Sequence, residues 1–125
     1  MGIADHGNTK VLFDTADKLG CHYIRDKELS QSQLPKAIKQ VEQFIDQVDY
    51  LYITVDLDVF SASIAPGVSA PAAKGINTET FDELFAVIKA SKKIAVFDIA
   101  ECNPEFDIDN HTSKLAAYLI YQFLF

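Results

Sequence analysis

The chain has 125 residues, 49% hydrophobic and 23% charged, which is enough apolar material for the core of one ordinary domain and excludes an intrinsically disordered chain. Five Gly and four Pro exclude a low-complexity or collagen-like one. Eleven Lys and Arg against eighteen Asp and Glu leave a net charge of −7, so no nucleic acid and no membrane is expected as a partner, because phosphate binding is driven by cations.

Residues 1–10 have no basic n-region and no apolar h-region, so the sequence predicts a cytoplasmic protein with both thiols, Cys21 and Cys102, reduced. Asn8 and Thr9 can cap a first helix through Val11, Leu12, Ala16 and Leu19, with Gly20 suited to its end. Residues 21–24 form a short strand candidate. Residues 30–48 read as a longer helix, with Leu34, Ala37, Ile38, Val41, Phe44, Ile45 and Val48 at 3-and-4 spacing. The run 50–55 (YLYITV) and the run 94–100 (IAVFDIA) read as strands of a parallel sheet, buried on both faces. Between them, a helix is predicted from Thr78 through Ala90, after Asn77. Residues 111–125 form the last helix, which is apolar almost all round and needs covering. Helices alternating with buried strands imply an α/β fold, a three-layer αβα arrangement with a parallel sheet.

The chemistry concentrates after the first strand. Over twenty residues separate Val55 from Thr78, and loops of that length in compact domains are usually functional. In open α/β sheets, ligands sit beyond the carboxyl ends of the strands, where this loop begins. Asp56 and Asp58 follow at once. If the chain stays extended, residues i and i+2 share a side, so both carboxylates converge and suit a hard divalent cation. The competing reading is that one Asp caps the next turn and the other is only exposed. Glu101, just past the second strand, lies at the same sheet edge if the strands are parallel neighbours. It can bind a metal or a guanidinium- or amidine-like group, or it can be a turn residue before Asn103-Pro104. Asp98, inside the strand, reads as a structural hydrogen-bonding group. His6, His22 and His111 are scattered without ligand spacing, and the Asp107–Asn110 stretch lacks the Gly and distal Glu of a Ca²⁺ loop.

Thr54-Val55-Asp56-Leu57-Asp58, followed by Ala62, Pro66-Gly67 and Gly75, resembles the signature of the ureohydrolases (arginase, agmatinase and formimidoylglutamase), and the spacing holds over 22 positions. FDIAECNPEFD, ending at Asp107, and then Thr112, Lys114, Leu115, Ala116 and Ala117 resemble that family's closing strand and helix. APGVSAPAA and Phe60-Ser61-Ala62 look most like the formimidoylglutamase branch. The resemblance implies part of the arginase-like fold. It also implies two Mn²⁺ ions with a bridging hydroxide that attacks the substrate carbon, Asp56 and Asp58 as metal ligands, and Glu101 on the amidinium-like end of the substrate. The reaction implied is hydrolysis of N-formimidoyl-L-glutamate to L-glutamate and formamide, with arginase or agmatinase chemistry as the alternative.

The family's remaining ligands, a His and an Asp-x-His-x-Asp cluster, have no match here, so residues 1–125 are expected to be the C-terminal portion of a single ureohydrolase domain, inactive alone. Family members resemble trimers and hexamers, so a homo-oligomer acting on a small-molecule substrate is expected. A receiver-type signalling domain is the alternative of another class, but the long Pro/Gly loop has no counterpart there.

Overall fold

Two parallel strands organise the computed structural model, which describes residues 1–125. Strand β1 (Leu51–Asp56) pairs with β2 (Ile94–Ala100), setting Ile53 beside Phe97, Val55 beside Ile99 and Asp56 beside Ala100. Both runs are rich in β-branched and aromatic residues, as strands require. Parallel neighbours need a crossover, and helix α3 (Thr78–Ala90) supplies it. Asn77 starts that helix by accepting a hydrogen bond from the Thr80 amide at 2.8 Å.

Apolar spacing turns the helices toward one sheet face. Phe81, Leu84, Phe85 and Ile88 form the buried stripe of α3, and Leu34, Ala37, Val41 and Ile45 that of α2 (Leu34–Asp46), which packs on α3. Rings then run from the loop after β1 to the last helix, α4 (His111–Leu124): Phe60 to Phe81 at 5.7 Å, Phe81 to Phe85 at 5.3 Å, Phe85 to Phe97 at 5.7 Å and Phe97 to Phe123 at 4.7 Å. Such spacings are favourable for aromatic pairs. Lys93 donates to the carbonyls of Ile45 and Val48 at 2.8 Å each, placing a cation on the carbonyl end of α2.

The α/β class with parallel strands is therefore present, and several sequence expectations need correction. The strands are not buried on both faces: Tyr52 is 66% and Val96 50% exposed, because α3 and α4 meet the face of Ile53 and Phe97, whereas on the other face Tyr52 donates its hydroxyl hydrogen bond to Asp98. This chain thus shows a sheet with helices packed on one face, where three layers were expected. Residues 21–24 form no strand of that sheet; their segment meets the start of the chain instead, with the Gly2 amide donating to the Ile24 carbonyl and a lone bridge between Ile3 and Arg25. Helix α1 (Lys10–Lys18) follows Thr9 without a side-chain cap, since the Asn8 amide nitrogen donates to the Ala4 carbonyl. The second helix begins at Leu34 rather than residue 30, with Pro35 in its first turn, where a missing N–H costs nothing. In α4, Thr112, Leu115 and Leu119 are buried, while Ile120, Tyr121, Leu124 and the following Phe125 are exposed. No helix is long and apolar enough to cross a membrane.

The long loop after β1 is itself packed. Phe60, Ala65, Val68 and Ile76 are buried, and short bridges join Phe60 to Ile76 and Ser61 to Ala72. Gly75 holds φ +67°, and a Cβ there would lie 2.4 Å from the Ser61 amide nitrogen. At Gly67 a Cβ would lie 2.7 Å from the Cα of Asp107, which is backbone and cannot swing aside. Gly67→Ala is therefore expected to destabilise the chain by about 1–3 kcal/mol, the usual cost of overpacking, measured as a lowered urea midpoint with an unchanged m-value.

Candidate functional site

The sheet delivers three carboxylates to one edge. Asp56 is the last residue of β1, and its partner Ala100 immediately precedes Glu101, so all three acids stand at the carboxyl ends of adjacent parallel strands. The route differs from the one expected for Asp58. The chain does not stay extended but turns into a short 3-10 helix, Leu57–Val59, with Leu57 fully buried as its anchor. The cap reading is also realised, since an Asp56 carboxylate oxygen accepts from the Asp58 amide at 3.2 Å. The two carboxyl groups nevertheless meet. Partial burial of Asp58 first, then the charge of Asp56, a hydrogen bond to it and the charge of Glu101 push the Asp58 carboxyl up to about 6. That group contributes stability fully below the ordinary carboxylate range and loses it as pH rises through about 6, because ionisation then sets like charges side by side.

Glu101 sits in an unusual backbone state. Its φ is +64°, a left-handed conformation that costs a non-glycine residue of the order of 1 kcal/mol. Its carboxylate accepts a hydrogen bond from the Ser69 hydroxyl at 2.7 Å. Two residues to either side, the Asn103 amide donates to the Gly67 carbonyl at 2.8 Å, so the segments 67–69 and 101–103 are joined at both ends. The Gly67 amide in turn donates to the buried Thr112 hydroxyl at 2.7 Å. Asp107 completes this node by capping α4: its carboxylate accepts from the Thr112 amide at 2.9 Å, the Ser113 amide at 3.0 Å and the Ser113 hydroxyl at 2.8 Å. Desolvation opposes ionisation of Asp107, yet these donors outweigh it and hold its carboxyl well below the usual carboxylate range.

Asp98, as expected, is a structural acceptor, taking the Tyr52 hydroxyl. His111 and Thr112 open α4. Both cysteines are exposed and unpaired. Sequence reasoning missed Ser69 and took Gly67 and Thr112 only as parts of the family resemblance, without their contact; the Pro66-Gly67 pair was the one signal that the backbone must approach something closely there.

The donor set bears on the metal the resemblance implies. Asp56 and Asp58 carry hard oxygen donors with no cationic side chain bonded to them, and their mutual repulsion is what a divalent cation would relieve, so they fit Mn²⁺ or Mg²⁺ in kind. They do not complete a coordination sphere: no group of three or more His, Cys, Asp and Glu side chains here is arranged to hold a metal ion.

The chain belongs to the arginase family, whose model matches residues 1–125. It is 48% identical over 122 residues to a formimidoylglutamase of Vibrio cholerae serotype O1, covering 97% of this chain and 36% of that protein. It is 43% identical to the formimidoylglutamase of Aeromonas salmonicida, covering 98% and 39%. Among solved structures, formimidoylglutamase from Bacillus subtilis superposes with a TM-score of 0.89 at 26% identity over 99% of this chain and 39% of the other. Arginase from Bacillus caldovelox superposes at 0.83 with 19% identity over 92% and 39%, a likeness of fold. The chain thus spans little more than a third of the length of the relatives it matches.

The Asp107 cap makes the node sensitive to acid. A carboxyl lowered in the folded state stabilises above its unfolded pKa, near 4, and that contribution disappears as pH falls through the lowered folded value. Asp107→Asn is therefore expected to lower the melting temperature at pH 7, with the gap to wild type closing as the pH is taken down to 2, read by circular dichroism melts across that range.

Proposed function

We propose that this chain is the carboxyl-terminal portion of a formimidoylglutamase and carries part of its site, one that hydrolyses N-formimidoyl-L-glutamate to L-glutamate and formamide with two Mn²⁺ ions. The reading rests chiefly on Asp56, Asp58 and Glu101 standing together at the carboxyl ends of two parallel strands, in a chain 48% identical to a formimidoylglutamase. Asp56 and Asp58 hold the metal. When bound, the metal supplies Lewis acidity and lowers the pKa of water toward neutrality. Every other task assigned to this chain falls to its own side chains. Asp58 must be ionised to ligate, which favours pH above about 6. Glu101 accepts N–H groups of the formimino end, whose planar, cationic amidinium form matches a carboxylate, and so orients the carbon that water attacks. Water adds to that carbon, the C–N bond to glutamate breaks, the glutamate nitrogen takes a proton, and formamide leaves.

The remaining ligands and the proton-transfer histidine lie outside this chain's matched residues in this reading, so the chain by itself is inactive. Cytoplasmic location and a homo-oligomeric assembly belong to the same reading, the latter supported by the exposed Ile120, Tyr121, Leu124 and Phe125 on α4. Arginase or agmatinase chemistry is the second reading, favoured only by the shared fold of the solved arginases.

Calorimetry with Mn²⁺ tests the proposal. Weak binding by the wild-type chain is expected, lost in the Asp56→Ala/Asp58→Ala variant and falling about tenfold per pH unit below pH 6 as a proton competes for Asp58. No turnover of formimidoylglutamate is expected. Binding unaffected by the double substitution, or tight two-ion binding with turnover by this chain, overturns the assignment of a partial site.

A further inference from the structure

The three strongest features outside the metal-ligating pair are the exposed Tyr52 and Val96 sheet face, the apolar hollow between residues 20–24 and α2, and the Ser69 contact on Glu101. The first two carry nothing that identifies an occupant. The third does more, because it touches the group that faces substrate.

Glu101 is fixed twice. Its backbone is held left-handed at φ +64°, which sets where the side chain leaves the strand end. Its carboxylate is then held by the Ser69 hydroxyl at 2.7 Å, on one oxygen only. Ser69 is in turn placed by Gly67, whose carbonyl accepts from Asn103 and whose amide donates to Thr112. Positions 67 and 103, and 69 and 101, are thus matched rungs between two loops running in opposite directions. A carboxylate has about four acceptor positions, so one donor from Ser69 leaves the other oxygen and part of the shared one free for two N–H groups of a planar cation. A glutamate without that hydroxyl would rotate about its side-chain torsions, and binding would have to supply the cost of ordering it.

We propose that Ser69 is a positioning residue, which through its hydroxyl holds the Glu101 carboxylate in the orientation that grips the amidinium end of the substrate. This inference rests on the role given to Glu101 above, and it adds a residue whose effect on binding runs through Glu101 alone.

The test uses this chain, formamidinium as the probe, and an isosteric pair of substitutions: Ser69→Thr keeps the hydroxyl, and Ser69→Val keeps the threonine shape without it. Formamidinium affinity is read by NMR titration, alongside Mn²⁺ affinity and melting temperature. The expected result is a three- to tenfold weaker formamidinium affinity for Ser69→Val than for Ser69→Thr, with Mn²⁺ affinity and melting temperature alike in the two. Equal formamidinium binding by Val and Thr variants, with binding abolished in Glu101→Gln, overturns the role of Ser69 and leaves that of Glu101 intact. Parallel losses of Mn²⁺ affinity and thermal stability in Ser69→Val reduce Ser69 to a structural residue and overturn the proposal. Formamidinium binding by Glu101→Gln equal to wild type removes the role of Glu101 itself, and Ser69's with it.

Discussion

The amide and carbonyl of Gly67 tie the loop after β1 to the loop after β2, and the relative placement of Asp56, Asp58 and Glu101 depends on that tie. The strands alone bring the three acids to one edge, but strand ends leave their loops free to diverge. Thr112, fully buried at the start of α4, takes the Gly67 amide, while Asn103 gives its own amide to the Gly67 carbonyl. Only glycine permits this approach, since any Cβ at that position would meet the backbone of Asp107. A buried amide and a buried hydroxyl satisfy each other there, and leaving either without a partner is costly.

The same node separates two kinds of carboxylate. Asp107 is surrounded by N–H and O–H donors at the amino end of a helix, where negative charge is favoured, and its carboxyl stays ionised far into acid. Asp58 has another carboxylate beside it and a third nearby, and its carboxyl rises to about 6. One is an internal fastener whose charge is already matched by the protein. The other stands where the chain supplies acids and no cation to match them.

The sheet is covered unevenly. Two strands with helices on one face leave Tyr52 and Val96 open on the other, and α4 turns Ile120, Tyr121, Leu124 and Phe125 outward. The solved arginase and formimidoylglutamase superpose over 92% and 99% of this chain, which is 39% of each of those chains. Strands that read from sequence as doubly buried are half exposed because helices meet only the face of Ile53 and Phe97.

Periodicity and punctuation in the sequence by themselves determined the helices around Val41 and Phe85, the two strands, and the class of fold, because apolar spacing at periods of 3.6 and 2 and a cap such as Asn77 act over short distances along the chain. The spacing from Thr54 to Gly75 likewise determined the family resemblance, and with it the interest of Asp56, Asp58 and Glu101. Only the tertiary structure decided that Leu57 turns the chain into a 3-10 helix between the two aspartates, that residues 21–24 leave the sheet, and that Ser69 and Thr112 belong to the site. The contacts of Ser69 and Thr112 join residues 32 and 45 positions apart, and no local pattern encodes which distant hydroxyl a backbone or carboxylate will meet.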